Sequence, residues 1–155
     1  MREKRLKQDF QILCDLQRKS NLIDIEPVGD HMNRYKITYN CKSLVWIEDN
    51  SDPSYSSRHE MEIYLHKDYP RRPPQLKWLT NVFHPNILPP HKNGGVCIGW
   101  WTAAETIDSL CVRIGEMLQY KNYNLADPLD EEAAEWVKNN LDILPVDERD
   151  LCLNE

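Results

Sequence analysis

Residues 81–101 hold three prolines and three glycines and no repeating apolar pattern, and this aperiodic stretch constrains the layout on both sides of it. Proline fixes φ and removes a backbone donor, and glycine favours turns, so neither a long helix nor a central strand can run through it. A structured loop of that length is usually functional. Before it, apolar residues alternate with polar ones; after it, they recur at helical spacing. At 155 residues the chain has the length of one domain, with a core expected over about 2–141 and an acidic C-terminal tail over 142–155.

From Arg2 to about Lys19, Leu6, Phe10, Leu13, Cys14 and Gln17 follow helical spacing and predict an amphipathic first helix. Leu22, Ile23 and Ile25 precede Pro27 and Gly29, and Tyr35, Ile37 and Tyr39, then Met61, Ile63 and Leu65, alternate with polar residues. These read as three strands, with Gln75 to Thr80 as a short fourth and Asp49 to Ser54 as a turn cluster. An antiparallel meander is the economical topology. After the loop, Thr102-Ala103-Ala104-Glu105 has the pattern of a capping box and predicts a helix that buries Ile107, Leu110, Cys111, Ile114, Met117 and Leu118. In a last helix Asp127 would cap, Pro128 would take the first position, and Leu129, Ala133, Trp136 and Val137 would form the apolar face. Asp130, Glu131 and Glu132 would then complement its positive end. The class is α+β.

Lys and Arg number 19 against 25 Asp and Glu, for a net charge of -6, with acids gathered in the last third. That balance argues against a nucleic-acid binder, whose basic stripe would be visible. Apolar runs are too short for a membrane span or a signal peptide, so a cytoplasmic location without membrane attachment is expected. The five cysteines contain no C-x-x-C pair, which fits neither a disulfide framework nor a metal site. Cys14 and Cys111 lie on predicted apolar helix faces and read as small core residues. Cys41 and Cys152 suggest no role.

Only Cys97 has loop-like surroundings. It follows Gly94-Gly95-Val96 and stands thirteen positions after His84 of a His84-Pro85-Asn86 tripeptide. A thiol can take an acyl group from another thioester and pass it to an amine, because exchange runs through an attacking thiolate. Flanked by Val96 and Ile98, the same cysteine also fits a buried structural position. Asn86 can donate to a developing oxyanion, a contact worth about 3 kcal/mol, or it can tie neighbouring backbone. Asp127 can help an attacking amine lose its proton, or simply cap the last helix. His84 reads as structural, held in the bend before Pro85. His91 and Lys92 are close to Cys97, but no third group orients a base and the order differs from that of papain-like proteases. A redox-sensing thiol would need a resolving cysteine at a recognisable spacing.

Tyr69-Pro70, Pro73-Pro74, His84-Pro85-Asn86-Ile87, Gly95, Cys97, Trp101 and Asp127-Pro128-Leu129, in that order, resemble the catalytic core of ubiquitin-conjugating enzymes. The resemblance covers about residues 2–141 and is strongest from Tyr64 to Ile107. It implies a first helix, a four-stranded meander, an active-site stretch, a central helix and a C-terminal helix. It also implies that Cys97 carries ubiquitin or a ubiquitin-like protein as a thioester and that Asn86 and Asp127 assist transfer to a lysine amine. By the same resemblance His84, Pro85 and Trp101 shape the site. Lys4, Arg5 and Lys7 would meet an activating enzyme, although charge alone favours a plain solvated helix face. Glu105, Asp108, Ser109, Val112 and Glu116 would form the exposed face where the modifier docks.

No glycine-rich phosphate cradle is present, so ATP use is expected of the activating enzyme, and neither metal nor small cofactor of this chain. A ligase or a direct protein substrate would complete the set of partners. Several features depart from the family pattern: the Asn86–Cys97 stretch is long, the Cys97–Trp101 stretch is short, Gly99 replaces an Asp, and Arg71 replaces a hydrophobic contact to RING-type ligases. They suggest a divergent member, which a prokaryotic conjugation system with its own modifier would suit. The competing reading is a catalytically silent scaffold that binds a modifier or partner; Cys97 together with Asn86 favours the enzyme.

Overall fold

The computed structural model of the protein describes residues 2–47 and 52–152. Helix α1 (Arg2–Lys19) is followed by strands β1 (Ile23–Pro27), β2 (Arg34–Tyr39), β3 (Ser43–Val45), β4 (Ser54–Ser56), β5 (His59–Tyr64) and β6 (Gln75–Trp78), then helices α2 (Ile107–Leu118) and α3 (Glu131–Lys138). The main sheet has the order β1-β2-β5-β6, antiparallel throughout, with Ile37 opposite both Ile25 and Met61. The α+β class and the antiparallel meander are those expected.

Period-two alternation places Tyr35, Ile37 and Tyr39 of β2 and Met61 and Ile63 of β5 on one face, all 1% exposed or less. That face packs in one apolar cluster with Leu13 and Leu16 of α1 and with Ile107, Leu110, Cys111 and Ile114 of α2. Each large side chain so buried contributes about 1.5–3 kcal/mol. The Tyr39 hydroxyl donates to the Cys111 carbonyl at 2.6 Å, which fixes α2 against the sheet. A second cluster of Leu44, Phe83, Tyr120, Ala133 and Val137 seats α3.

Five expectations change. The buried stripe of α1 runs Leu6, Asp9, Leu13, Leu16, while Gln17 is exposed and accepts from the Ile25 amide. Asp9 can be buried because Arg5 (3.1 Å) and the Tyr69 hydroxyl (2.6 Å) satisfy its carboxylate. The three-residue pair β3–β4 was not expected; Ser54 of the predicted turn cluster belongs to β4, and Asp49, Asn50 and Ser51 lie outside the described residues.

The Thr102–Glu105 capping box does not form. Residues 102–105 make a turn closed by the Glu105 N–H on the Thr102 carbonyl at 3.1 Å, and α2 starts after Thr106, whose side chain makes no cap bond. The Glu105 carboxylate, which the box would have turned back to its cap, instead accepts from Arg113.

The cap of α3 is Asp130, which accepts from Ala133 N–H at 3.1 Å; Asp127 is not a cap, Pro128 is not in the helix, and Leu129 precedes it, 42% exposed. The Leu129 and Asp130 N–H groups both donate to the Pro85 carbonyl, at 2.8 and 3.1 Å. That draws residues 128–130 onto the loop and delays the helix by one turn.

The acidic tail is part of the packed structure as far as it is described. Val146 N–H donates to Gln119 O at 3.0 Å, Asp147 accepts from the Lys42 amide at 2.8 Å, and Leu151 is 3% exposed within the main cluster. A Cβ on Gly115 would lie 2.5 Å from Leu151 Cδ1 and 3.0 Å from the Tyr39 ring, so the small residue makes room for the tail. Burial alone would raise the Asp147 carboxyl, yet hydrogen bonds from Arg149 and the Lys42 amide hold it well below the usual carboxylate range.

Candidate active site

The aperiodic segment is tightly hydrogen-bonded. Ile87 bridges both His84 and Val96, Leu88 N–H donates to Gly95 O at 2.7 Å, and Cys97 N–H donates to Asn86 O at 2.9 Å. Residues 86–97 therefore fold back as an irregular hairpin whose tip is a short 3-10 turn, Pro90–Lys92. Gly94 docks this hairpin on the sheet: its carbonyl accepts from Trp78 N–H at 2.8 Å, its φ is +72°, and a Cβ there would sit 2.8 Å from the Trp78 carbonyl oxygen. Only glycine meets both demands. Lys92 lies 4.3 Å from the Trp46 ring centroid and 3.4 Å from Asp130, which ties the extra length of the hairpin to the start of α3.

His84 is fully buried. One ring nitrogen, Nδ1, accepts from Asn86 N–H at 3.0 Å, and Nε2 lies 2.7 Å from the Met117 carbonyl, an arrangement that needs a neutral ring with its proton on Nε2. Burial lowers its pKa to about 4, against the opposing pull of the Met117 carbonyl. The ring is therefore a neutral bracket for the bend and no general base at neutral pH.

Asn86 is 3% exposed. Its Oδ1 accepts from Asn124 N–H at 2.8 Å and its Nδ2 donates to Asn124 O at 2.9 Å. The amide thus clamps the loop that follows α2, and its second Nδ2 N–H has no protein partner among the described residues.

Cys97 is exposed, which removes the buried-cysteine alternative. It opens onto a cleft of about 200 Å³ walled by Asn86, Gly99, Arg113, Met117, Tyr123 and Asn124. No histidine or carboxylate lines that cleft among the described residues. Trp101 closes one side of the segment: its Nε1 donates to Pro70 O at 3.0 Å and its ring packs on Tyr69. Asp127 is exposed and makes no hydrogen bond or ion pair with the described residues. It is not among the cleft-lining residues, but it continues the loop whose Asn122, Tyr123 and Asn124 are.

The other residues singled out separate into two groups. Lys4 and Lys7 are exposed. Arg5 is not free: its guanidinium contacts Asp9, the Tyr69 hydroxyl at 3.1 Å, Ala103 O at 3.0 Å and Glu105 O at 3.1 Å, so it fastens α1 to the segment before α2. Of the five residues assigned to the exposed face of α2, Glu105 precedes the helix and is paired with Arg113. Cys41 and Cys111 are buried, and Cys14 and Cys152 are half-buried; burial pushes the Cys41 thiol up to about 12.

Arg113, Tyr123 and Asn124 escaped the sequence reading. For Arg113 a signal existed, a lone cation at the edge of the apolar stripe of α2; for Asn124 none did, because its pairing with Asn86 spans thirty-eight positions.

Among the described residues no helix is long and apolar enough to cross a membrane. A family model described as ubiquitin-conjugating enzyme matches residues 5–143. The chain is 32% identical over 123 residues to ubiquitin-conjugating enzyme E2 13 of Saccharomyces cerevisiae, covering 76% of this chain and 72% of that protein. It is 28% identical over 119 residues to ubiquitin-conjugating enzyme E2 13 of Schizosaccharomyces pombe, covering 74% of this chain and 72% of the relative. In structure it is similar to a Toxoplasma gondii ubiquitin conjugating enzyme E2 domain, with a TM-score of 0.65, 22% identity, and coverage of 92% of this chain and 90% of the other. With the α+β meander and the match over residues 5–143 in agreement, the chain belongs to the ubiquitin-conjugating enzyme family.

Proposed function

We propose that Cys97 accepts the C-terminus of ubiquitin or a ubiquitin-like protein from an activating enzyme and transfers it to an amine of a protein acceptor. In the first step the Cys97 thiolate attacks the partner's thioester carbonyl, a new Cys97 thioester forms, and the partner leaves as its thiolate. In the second, an amine attacks that carbonyl, the C–S bond breaks, the Cys97 thiolate leaves and an amide remains after the nitrogen loses a proton. ATP is consumed by the activating enzyme, and no step calls on a metal or a small cofactor of this chain. The cytoplasm is the location proposed for this work, with a ligase or direct substrate recognition supplying the acceptor.

The observation that carries this reading is an exposed thiol opening on the same cleft as Asn86. With one Nδ2 N–H spent on Asn124, the other is left to donate to the carbonyl oxygen as negative charge gathers there. The two bonds to Asn124 preorganise the donor, so holding the loop and stabilising the oxyanion become one role. Asp127, an exposed carboxylate without a partner among the described residues, is the group assigned to take the proton from the incoming amine.

Single-turnover discharge of preloaded protein to free lysine tests the assignment. Asn86→Ala should slow discharge roughly a hundredfold and Asp127→Ala should slow it too, both with loading retained. Loss of loading in both variants would mean collapse of the site, and wild-type discharge in both would remove the two residues from the mechanism.

A further inference from the structure

Cys97 and Trp101 are each anchored, and the span between them is short and sparsely packed. The Cys97 amide is held by the Asn86 carbonyl at 2.9 Å and the Trp101 ring by Pro70. Between them, Gly99 has φ +74° with nothing within 4 Å of where a Cβ would be, and Trp100 is 84% exposed. Gly99 and Trp100 therefore add little to restrain the backbone of this span, and the thiol is at its start.

Ile98 packs against the core, and one polar side chain grips its backbone. Arg113, from α2, donates through Nη1 to the Ile98 carbonyl and through Nη2 to Glu105 Oε2 at 2.6 Å. Glu105 is fixed in turn, because its carbonyl accepts from Arg5 at 3.1 Å while Arg5 also holds Ala103 O at 3.0 Å. The guanidinium serves both acceptors at once through two nitrogens of its rigid fork, which a lysine ammonium cannot reproduce. Arg113 lines the cleft onto which Cys97 opens.

We propose that the Glu105–Arg113 pair is a positioning device for the acyl-carrying thiol, acting through the Ile98 carbonyl to hold the Cys97–Trp101 span against α2. The proposal rests on Cys97 being the carrier. Arg113 is a positioning residue: it sets where the thioester carbonyl lies relative to Asn86, and a displacement near 1 Å costs about a hundredfold in rate.

The test uses Arg113→Met, which keeps the aliphatic stem and removes every donor, and Glu105→Gln, which keeps an acceptor oxygen and removes the charge. Two readouts are taken: peptide-resolved alkylation of the five cysteines by iodoacetamide without any modifier present, and single-turnover discharge to lysine. For Arg113→Met, Cys97 alkylation should rise about threefold while Cys41 and Cys111 stay protected, and discharge should fall roughly ten- to a hundredfold. Glu105→Gln should move both readouts in the same direction by less.

Wild-type alkylation and discharge in Arg113→Met would overturn the proposal. So would loss of protection at Cys41 and Cys111 together with Cys97, because Arg113 would then be supporting the fold as a whole. A modifier adduct that survives Cys97→Ala would sink the carrier reading instead, and the alkylation arm would still report whether Arg113 restrains Cys97.

Discussion

His84 gives a prediction whose size follows from the structure. The unfolded ring titrates near about 6.5, and in the fold burial lowers its pKa to about 4. The folded state therefore binds the proton later than the unfolded one, so stability rises with pH through this interval and is lost as pH falls from about 6.5 toward 4. At pH 5 the unfolded ring is almost fully protonated and the folded ring about a tenth protonated, so moving from pH 7.5 to 5 removes about 2 kcal/mol. The structural cause is specific: Nδ1 accepts from the Asn86 N–H at 3.0 Å, and a proton placed on Nδ1 would face that N–H.

Urea unfolding of wild type and His84→Gln at both pH values isolates this contribution. His59, also lowered by burial, and Asp9, raised by burial, are present in both proteins and cancel. Asp147 loses its contribution only at lower pH, since its carboxyl is held below the usual range. The wild type should lose about 2 kcal/mol more than the variant over the interval. Equal losses would refute the assignment of a neutral, buried His84.

Asp130→Ala should cost about 1 kcal/mol through loss of the α3 cap, whereas Asp127→Ala should change stability by less than about 0.5 kcal/mol; the reverse order in thermal melts would restore Asp127 as the cap. Leu151→Ala should cost about 2–5 kcal/mol because the side chain fills the space over Gly115 and beside Tyr39, and a melt unchanged from wild type would show that the tail is not part of the core. Gly94→Ala should destabilise by more than about 1 kcal/mol through contact with the Trp78 carbonyl; unchanged stability would mean that the hairpin does not dock there.

Regular periodicity made α1, β1, β2, β5, β6 and the buried face of α2 legible, since each is long enough to show a repeat. What escaped reading depends on partners distant in sequence. Strands β3 and β4 have three residues each and no period to detect. Asp9 looks like a surface residue until Arg5 and Tyr69 surround it. Both Asp127 and Asp130 satisfy the local rules for a cap, and the choice is made by the Pro85 carbonyl, which takes two N–H groups the earlier start would have placed in the helix. At the site, Cys97, His84 and Asn86 were recognisable from a motif. The Asn86–Asn124 clamp and the grip of Arg113 on Ile98 were not, because a backbone carbonyl carries no mark in sequence of who will bind it.

The central claim is that Cys97 is the acyl carrier. Wild type and Cys97→Ala, each incubated with ATP, ubiquitin and the activating enzyme that charges it, should be compared by intact mass and on non-reducing gels. The account predicts an adduct one modifier larger that is cleaved by excess thiol and is absent from Cys97→Ala. With an activating enzyme shown to be charged, an adduct that persists without Cys97, or no adduct at all, would contradict it.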